Sequence, residues 1–381
     1  MPRPIPAVAA LAIFALILAA LPERDALGRP LPLSMLLGGA FGLALQRGRF
    51  CFWCLTRDWF EAGDPRGLVA LLVALGVGLL GTFAVIGAWV PDPSGERLPP
   101  DAHVGPVSWA LALGAFAFGL GMAVSGSCIS AHLYRLGEGS GGSIVALAGA
   151  LGGFALGFMS WNALYLAAIQ PAPVIWLPAH LGYGGALALQ LGLLAAAAAW
   201  LLRRGWPQAE PAATPWRAVF GRRWPAAVTG LAIGLIATVA YLRVGPLGVT
   251  AELGSIARTG AQAFGILPTE LRGLDGFAGC ATVVKETVLS RNGVFVIGLV
   301  LASLAAALAS GDWTPSLPGA RDVPRLLLGG VLLGWGAMVS LGCTVGVILS
   351  GIMAGAGSGW VFAAFCLAGA WIGWQARRRL A

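Results

Sequence analysis

The sequence predicts an all-α fold, a polytopic helical bundle of about ten membrane spans made of two inverted repeats with short re-entrant, cysteine-bearing helices. Three observations carry this prediction: an apolar composition, evenly spaced apolar runs, and self-similarity between the two ends of the chain. Of 381 residues, 58% are hydrophobic and 10% charged, and the mean hydropathy is +0.82. A soluble domain carries about 25% charge and needs a polar surface. The 57 glycines suit membrane helices, where small residues let backbones approach.

A span needs about 20 apolar residues. Runs of that kind occur at 5–22, 31–48, 67–91, 106–127, 143–169, 180–202, 225–243, 293–310, 324–342 and 358–376. The first, after "MPR", is read as a retained anchor rather than a signal peptide, because "LAALPERDAL" is an ambiguous cleavage region. The organisation expected is an anchor at 1–30, a first repeat at 31–170, a connecting span and loop at 171–224, and a second, inverted repeat at 225–381 with an insertion at 244–275.

Charge sets the orientation. Arg203, Arg204, Arg217, Arg222 and Arg223 face one acid, Glu210, in the loop 203–224, and Arg377, Arg378 and Arg379 end the chain. Both segments are expected in the cytoplasm. The net charge of +8 sits in such short loops and the tail, a pattern for anionic lipid of the bilayer, and nucleic acid is not expected as a partner. Six cysteines in so long a chain do not make a disulfide scaffold. No cofactor or metal is expected: the cysteines and the three histidines, His103, His132 and His180, lack zinc-site spacing, and no phosphate-binding loop is present.

Self-similarity locates the chemistry. "FGLGMAVSGSCIS" (118–130) aligns with "LGWGAMVSLGCTV" (333–345), so that Gly119, Gly121, Ser125 and Cys128 match Gly334, Gly336, Ser340 and Cys343. "GRFCFWCLTRD" (48–58) aligns with "FAGCATVVKE" (277–286), setting Cys51 against Cys280 and Cys54 against Val283. One connecting span between two four-span units inverts the second. Inverted repeats with interrupted segments mark transporters, with the site where the repeats meet.

Cys128 in "SGSCISAH" is the first candidate. A short helix beginning there among small residues would attract an anion. Cys343, with the Thr344 hydroxyl, follows the same logic, and Cys51 and Cys280 complete the set with Ser125, Ser127 and Ser340. His132 falls one helical turn after Cys128. Cys366 is read as packing, His103 and His180 as loop or interface residues, and Trp53 and Trp59 as belt residues. Arg57, Asp58, Glu61, Lys285 and Glu286 are each read as snorkelling at the interface.

These motifs, "GLGMAVSGSCISAHLYRLGEGS", "RGRFCFWCLTRD" and "GWGAMVSLGCTVGVILSG", resemble the YeeE/YedE family of sulfur transport proteins over residues 31–376. The resemblance implies an inner-membrane permease for thiosulfate, not an enzyme. It also implies an hourglass-like fold and three cysteines that hand the anion along: Cys51, Cys128 at the centre, and Cys343. A longer branch of the family is associated with selenium metabolism, and some members work beside a small TusA-like sulfurtransferase. Neutral thiols are expected, since a thiolate would repel the anion. They make the weak, repeated sites that conduction requires. The competing readings are a thiol-disulfide oxidoreductase using Cys51 and Cys54, and an accessory subunit of a sulfurtransferase system.

Overall fold

The computed structural model describes residues 3–25, 28–95, 97–203, 223–268, 270–274, 282–285 and 289–380. Among these, helix is the only extended regular structure. The helices are α1 (Pro4–Ala20), α2 (Leu31–Gly48), α3 (Phe52–Ala62), α4 (Arg66–Trp89), α5 (Trp109–Ser125), α6 (Ile129–Gly137), α7 (Gly141–Leu164), α8 (Leu177–Leu202), α9 (Ala226–Arg243), α10 (Val249–Ala263), α11 (Arg291–Ser310), α12 (Asp322–Val339) and α13 (Gly357–Leu380). A π-helical segment, Thr344–Gly351, lies between α12 and α13.

Local chemistry sets many of the ends. Ser108 Oγ accepts from the Leu111 N–H at 3.1 Å and starts α5; Ser290 Oγ accepts from the Gly293 N–H at 3.1 Å and starts α11. Left-handed glycines stop α3 (Gly63, φ 66°), α5 (Gly126, φ 88°) and α11 (Gly311, φ 81°).

Among the described residues, eight helical runs are long and apolar enough to cross a membrane: Arg66–Trp89, Trp109–Gly137, Gly141–Ile169, Leu177–Leu202, Ala226–Arg243, Arg291–Ser310, Asp322–Val339 and Gly357–Arg379. The other two expected spans are also helical. α1 is apolar and has 17 residues, and α2 has 18 and ends in Gln46 and Arg47, which lower its apolar character.

The long helices pack in crossed pairs: α2 on α11, α9 on α4, α5 on α13, α12 on α7, with α5 against α12 and α2 against α9 near the middle. Exchanging α2 with α9, α4 with α11, α5 with α12 and α7 with α13 leaves these pairs unchanged. The approaches are close because glycines face backbone. A Cβ on Gly38 would sit 2.1 Å from the Phe295 carbonyl oxygen of α11, and one on Gly230 would sit 2.3 Å from the Ala70 oxygen of α4.

The stretch 244–275, expected as an insertion, holds α10. This helix follows α9 as α3 follows α2, and packs on α11 and α7 as α3 packs on α4 and α13. By order and packing, α10 is therefore the counterpart of α3, and its cap, Gly248, stands where Cys51 caps α3. Cys280, matched to Cys51 in the sequence, lies outside the described residues, as does Glu286.

Candidate functional site

Two turns of the same construction interrupt the bundle. After α5, Ser125 Oγ donates to the Ser127 carbonyl at 3.1 Å across left-handed Gly126, and extended Cys128 caps α6. After α12, Ser340 Oγ donates to the Gly342 carbonyl at 3.2 Å across left-handed Leu341 (φ 60°), and extended Cys343 caps the π-helical segment. Both serines thus hold the turn that presents a cysteine. Ser340 also donates to the Gly336 carbonyl at 2.5 Å, and Ser127 Oγ is turned onto the Gly126 carbonyl at 2.7 Å. All three hydroxyls are engaged by backbone carbonyls.

Cys51 caps α3 and lies close to Cys128 and Cys54. Cys128 Sγ is 3.3 Å from Ser130 Oγ. Arg135 Nη2 donates to Cys54 Sγ at 3.3 Å. His132 braces the turn, with Nε2 3.2 Å from Ser125 Oγ and Nδ1 3.3 Å from Ser143 Oγ. Cys51, Cys128 and His132 are buried, and Cys51, Cys54, Cys128 and Cys343 are free thiols.

Cys54, which aligns with Val283 and has no cysteine partner in the repeat, has its sulfur inside the cluster against a guanidinium. The signal available was "HLYRLG", where Arg135 follows Cys128 by two helical turns. Trp53 is not a belt residue: it is 1% exposed and packed in the core.

Cys343 stands apart from that cluster. The Thr250 hydroxyl of α10 lies beside its thiol. The Thr344 hydroxyl is buried without a hydrogen-bond partner. Lys285 does not snorkel but pairs with buried Glu252, whose second oxygen accepts from Ser290 Oγ at 2.8 Å. Arg57 meets Asp58 at 2.9 Å and Glu61 at 3.7 Å on an exposed surface, as expected of interface charges.

Polar groups tie the bundle at the end of α2. Arg47 meets Asp312 at 3.0 Å, Arg49 meets Glu138 at 2.9 Å, and Gln46 donates to both carboxylates at 3.3 Å. Burial pushes the Glu138 carboxyl up. Asp312 is only half-buried: its partial burial works to raise the carboxyl, but the Ser310 hydroxyl and the Arg49 charge hold it below the usual carboxylate range.

Thiols and hydroxyls at the starts of short helices, spaced through an otherwise apolar interior, offer weak donors to an anion and no strong trap. No group of three or more His, Cys, Asp or Glu side chains among the described residues has metal-site geometry. Fold and site together define a polytopic membrane transport protein. More particularly, the chain belongs to the sulphur transport family, whose sequence model matches residues 47–372.

Among its relatives, the thiosulfate transporter TsuA of Escherichia coli (strain K12) is 27% identical over 360 residues, covering 88% of this chain and 92% of that protein. The thiosulfate transporter TsuA of Spirochaeta thermophila is 28% identical over 360 residues, covering 91% and 98%. The probable transporter YedE of Escherichia coli matches 109 residues at 29% identity, a quarter of that protein. The function of the family is transport rather than catalysis, which removes the thiol oxidoreductase reading.

Proposed function

We propose that this chain is a permease that takes up thiosulfate or a closely related sulfur anion along a path marked by Cys343, Cys128 and Cys51. The observation that carries the reading is the placement of these buried thiols at the starts of α6, α3 and the π-helical segment, where the positive end of a short helix and a weak S–H donor coincide. Two relatives matched over most of their length are named thiosulfate transporters. Cys54 belongs to the same path: Arg135 holds its sulfur where an arriving anion would compete for the guanidinium. The exchange pattern of helix contacts supports two repeats, and the odd connector α8 supports their inversion. The arginines of the tail support a cytoplasmic C-terminus in a bacterial inner membrane. A TusA-like sulfurtransferase would then receive the sulfur on that side.

The test is uptake of labelled thiosulfate into proteoliposomes, competed with sulfate, sulfite and selenium analogues. Cys128→Ala is expected to reduce the initial rate by at least about tenfold, the order of one lost hydrogen bond to a charged group. Cys54→Ala is expected to slow uptake less. Normal uptake by well-expressed Cys128→Ala protein refutes the central role.

A further inference from the structure

Cys51 and Cys54 bracket the first turn of α3: Cys51 is its cap and Cys54 its third helical residue. That spacing sets the two side chains beside each other, and the sulfurs are close and unbonded. Their surroundings differ. Cys51 is wholly buried, whereas Cys54 is half-buried. Cys54 shares one face of α3 with Arg57, Asp58 and Glu61, whose side chains are 40%, 50% and 52% exposed. Three exposed charges belong in water or among headgroups, not against lipid chains, so Cys54 is the sulfur of the cluster that meets the aqueous edge of the bundle. Arg135 Nη2 donates to Cys54 Sγ at 3.3 Å. A guanidinium against two adjoining thiols, at the positive end of a helix, favours loss of one proton from the pair and places the negative charge on the sulfur it touches. Transport as described above uses each thiol singly and makes no use of the pair.

We propose that Cys51 and Cys54 form a site of reversible oxidation, at which a hydroperoxide joins the two sulfurs in a disulfide and closes the path. The Cys54 thiolate attacks the O–O bond of hydrogen peroxide, takes one oxygen as a sulfenic acid and releases hydroxide. The Cys51 thiol then attacks that sulfur. The S–S bond forms, the S–O bond breaks, and water leaves. In sum, two thiols and one hydrogen peroxide become one disulfide and two waters, the sulfurs losing the two electrons that the peroxide gains. A dithiol reductant reverses the step by exchange. The disulfide leaves Cys51 with no S–H to donate, so the step of the path at the start of α3 is lost. The pair is modified and not turned over, which keeps it distinct from an oxidoreductase. The closing of the path rests on the permease reading above; the formation of the disulfide does not.

The experiment treats the purified full chain, in detergent and in proteoliposomes, with hydrogen peroxide and then with dithiothreitol. After peroxide, digestion under alkylating conditions is expected to yield a peptide in which Cys51 and Cys54 are linked, lighter by two hydrogens, and dithiothreitol is expected to restore both thiols. Thiosulfate uptake is expected to fall to the rate of Cys51→Ala and to recover with the reductant. Cys54→Ser, whatever its own starting rate, is expected to keep that rate after peroxide. Arg135→Gln is expected to form the link more slowly than the wild type, and Arg135→Lys, which keeps the charge, to form it faster than Arg135→Gln; a merely structural arginine would show no such order. A Cys51–Cys128 link in place of Cys51–Cys54, or oxygen added to these cysteines with no link at all, overturns the proposal. A Cys51–Cys54 link with undiminished uptake overturns the closing of the path. Absence of uptake by the untreated wild type overturns the permease reading, and the linked peptide then decides the oxidation site by itself.

Discussion

Gly152 and Gly153 are neighbours on α7 with opposite surroundings. A Cβ on Gly152 meets nothing within 4 Å, while one on Gly153 would sit 2.2 Å from the Val331 carbonyl oxygen and 2.8 Å from the Trp335 nitrogen of α12. Both Gly→Ala changes bring the same gain in helix propensity, about 0.5–1 kcal/mol, and the same loss of freedom in the unfolded chain. The difference between the variants therefore isolates the steric cost. Relieving the Gly153 clash needs about 1 Å of helix separation, since ordinary contact begins near 3.4 Å and the obstacle is backbone that no rotamer change moves. Separation also loosens the neighbouring approaches of Gly149 to the Leu327 oxygen (2.4 Å) and of Gly334 to the Ala150 oxygen (1.9 Å). Overpacking of this kind costs about 1–3 kcal/mol, so Gly153→Ala is expected to lie about 3 kcal/mol below Gly152→Ala. In thermal unfolding of the detergent-solubilised protein that corresponds to a gap of roughly 6 °C, at about 2 °C per kcal/mol for a large chain. Midpoints within about a degree of each other would refute the close crossing of α7 and α12.

Two further outcomes follow from backbone and burial. Leu341 is a left-handed non-glycine residue in the turn before Cys343, so Leu341→Gly is expected to relieve about 1 kcal/mol of strain and raise the midpoint slightly; a lowered midpoint would mean that the leucine side chain contributes more than its backbone costs. Burial lowers the His103 pKa to about 4, below its ordinary value of 6.5. The unfolded chain binds a proton that the folded one refuses, and stability falls as pH drops from about 6.5 to about 4. By pH 5 the loss is about 2 kcal/mol. Unfolding midpoints at pH 7 and pH 5 should differ more for the wild type than for His103→Leu, and an equal difference would show that His103 titrates normally.

The all-α class was legible because apolar runs of span length dominate the chain, and several helix ends were written in it as Ser108, Ser290, Gly63, Gly126 and Gly311. The Ser-x-x-Cys motif also translated into structure, since the same serine-braced turn recurs at Cys128 and Cys343. The rest depended on distant residues. α10 carries Thr250, Glu252 and Arg258, so its composition reads as an insertion, and only packing against α7 and α11 makes it a helix of the bundle. Lys285 resembled an interface charge until Glu252 met it from 33 positions away. Cys54 gained its surroundings from Arg135, 81 positions on, and His103 was buried by α13 and the π-helical segment. A one-dimensional pattern reports which residues are apolar, not which polar ones a fold draws together.

The crossed pairing of the helices bears on how the protein is made. Each long helix from α2 to α7 finds a principal neighbour between α9 and α13, so the helices inserted first enter the bilayer before those neighbours have been synthesised. Their glycine faces and the Arg47 end of α2 wait against lipid until α11 and α12 arrive. Neither portion, severed between α8 and α9, is a folding unit, and the two would regain the native state only by assembling around each other. The principal contacts of the bundle are complete only once α11, α12 and α13 are present.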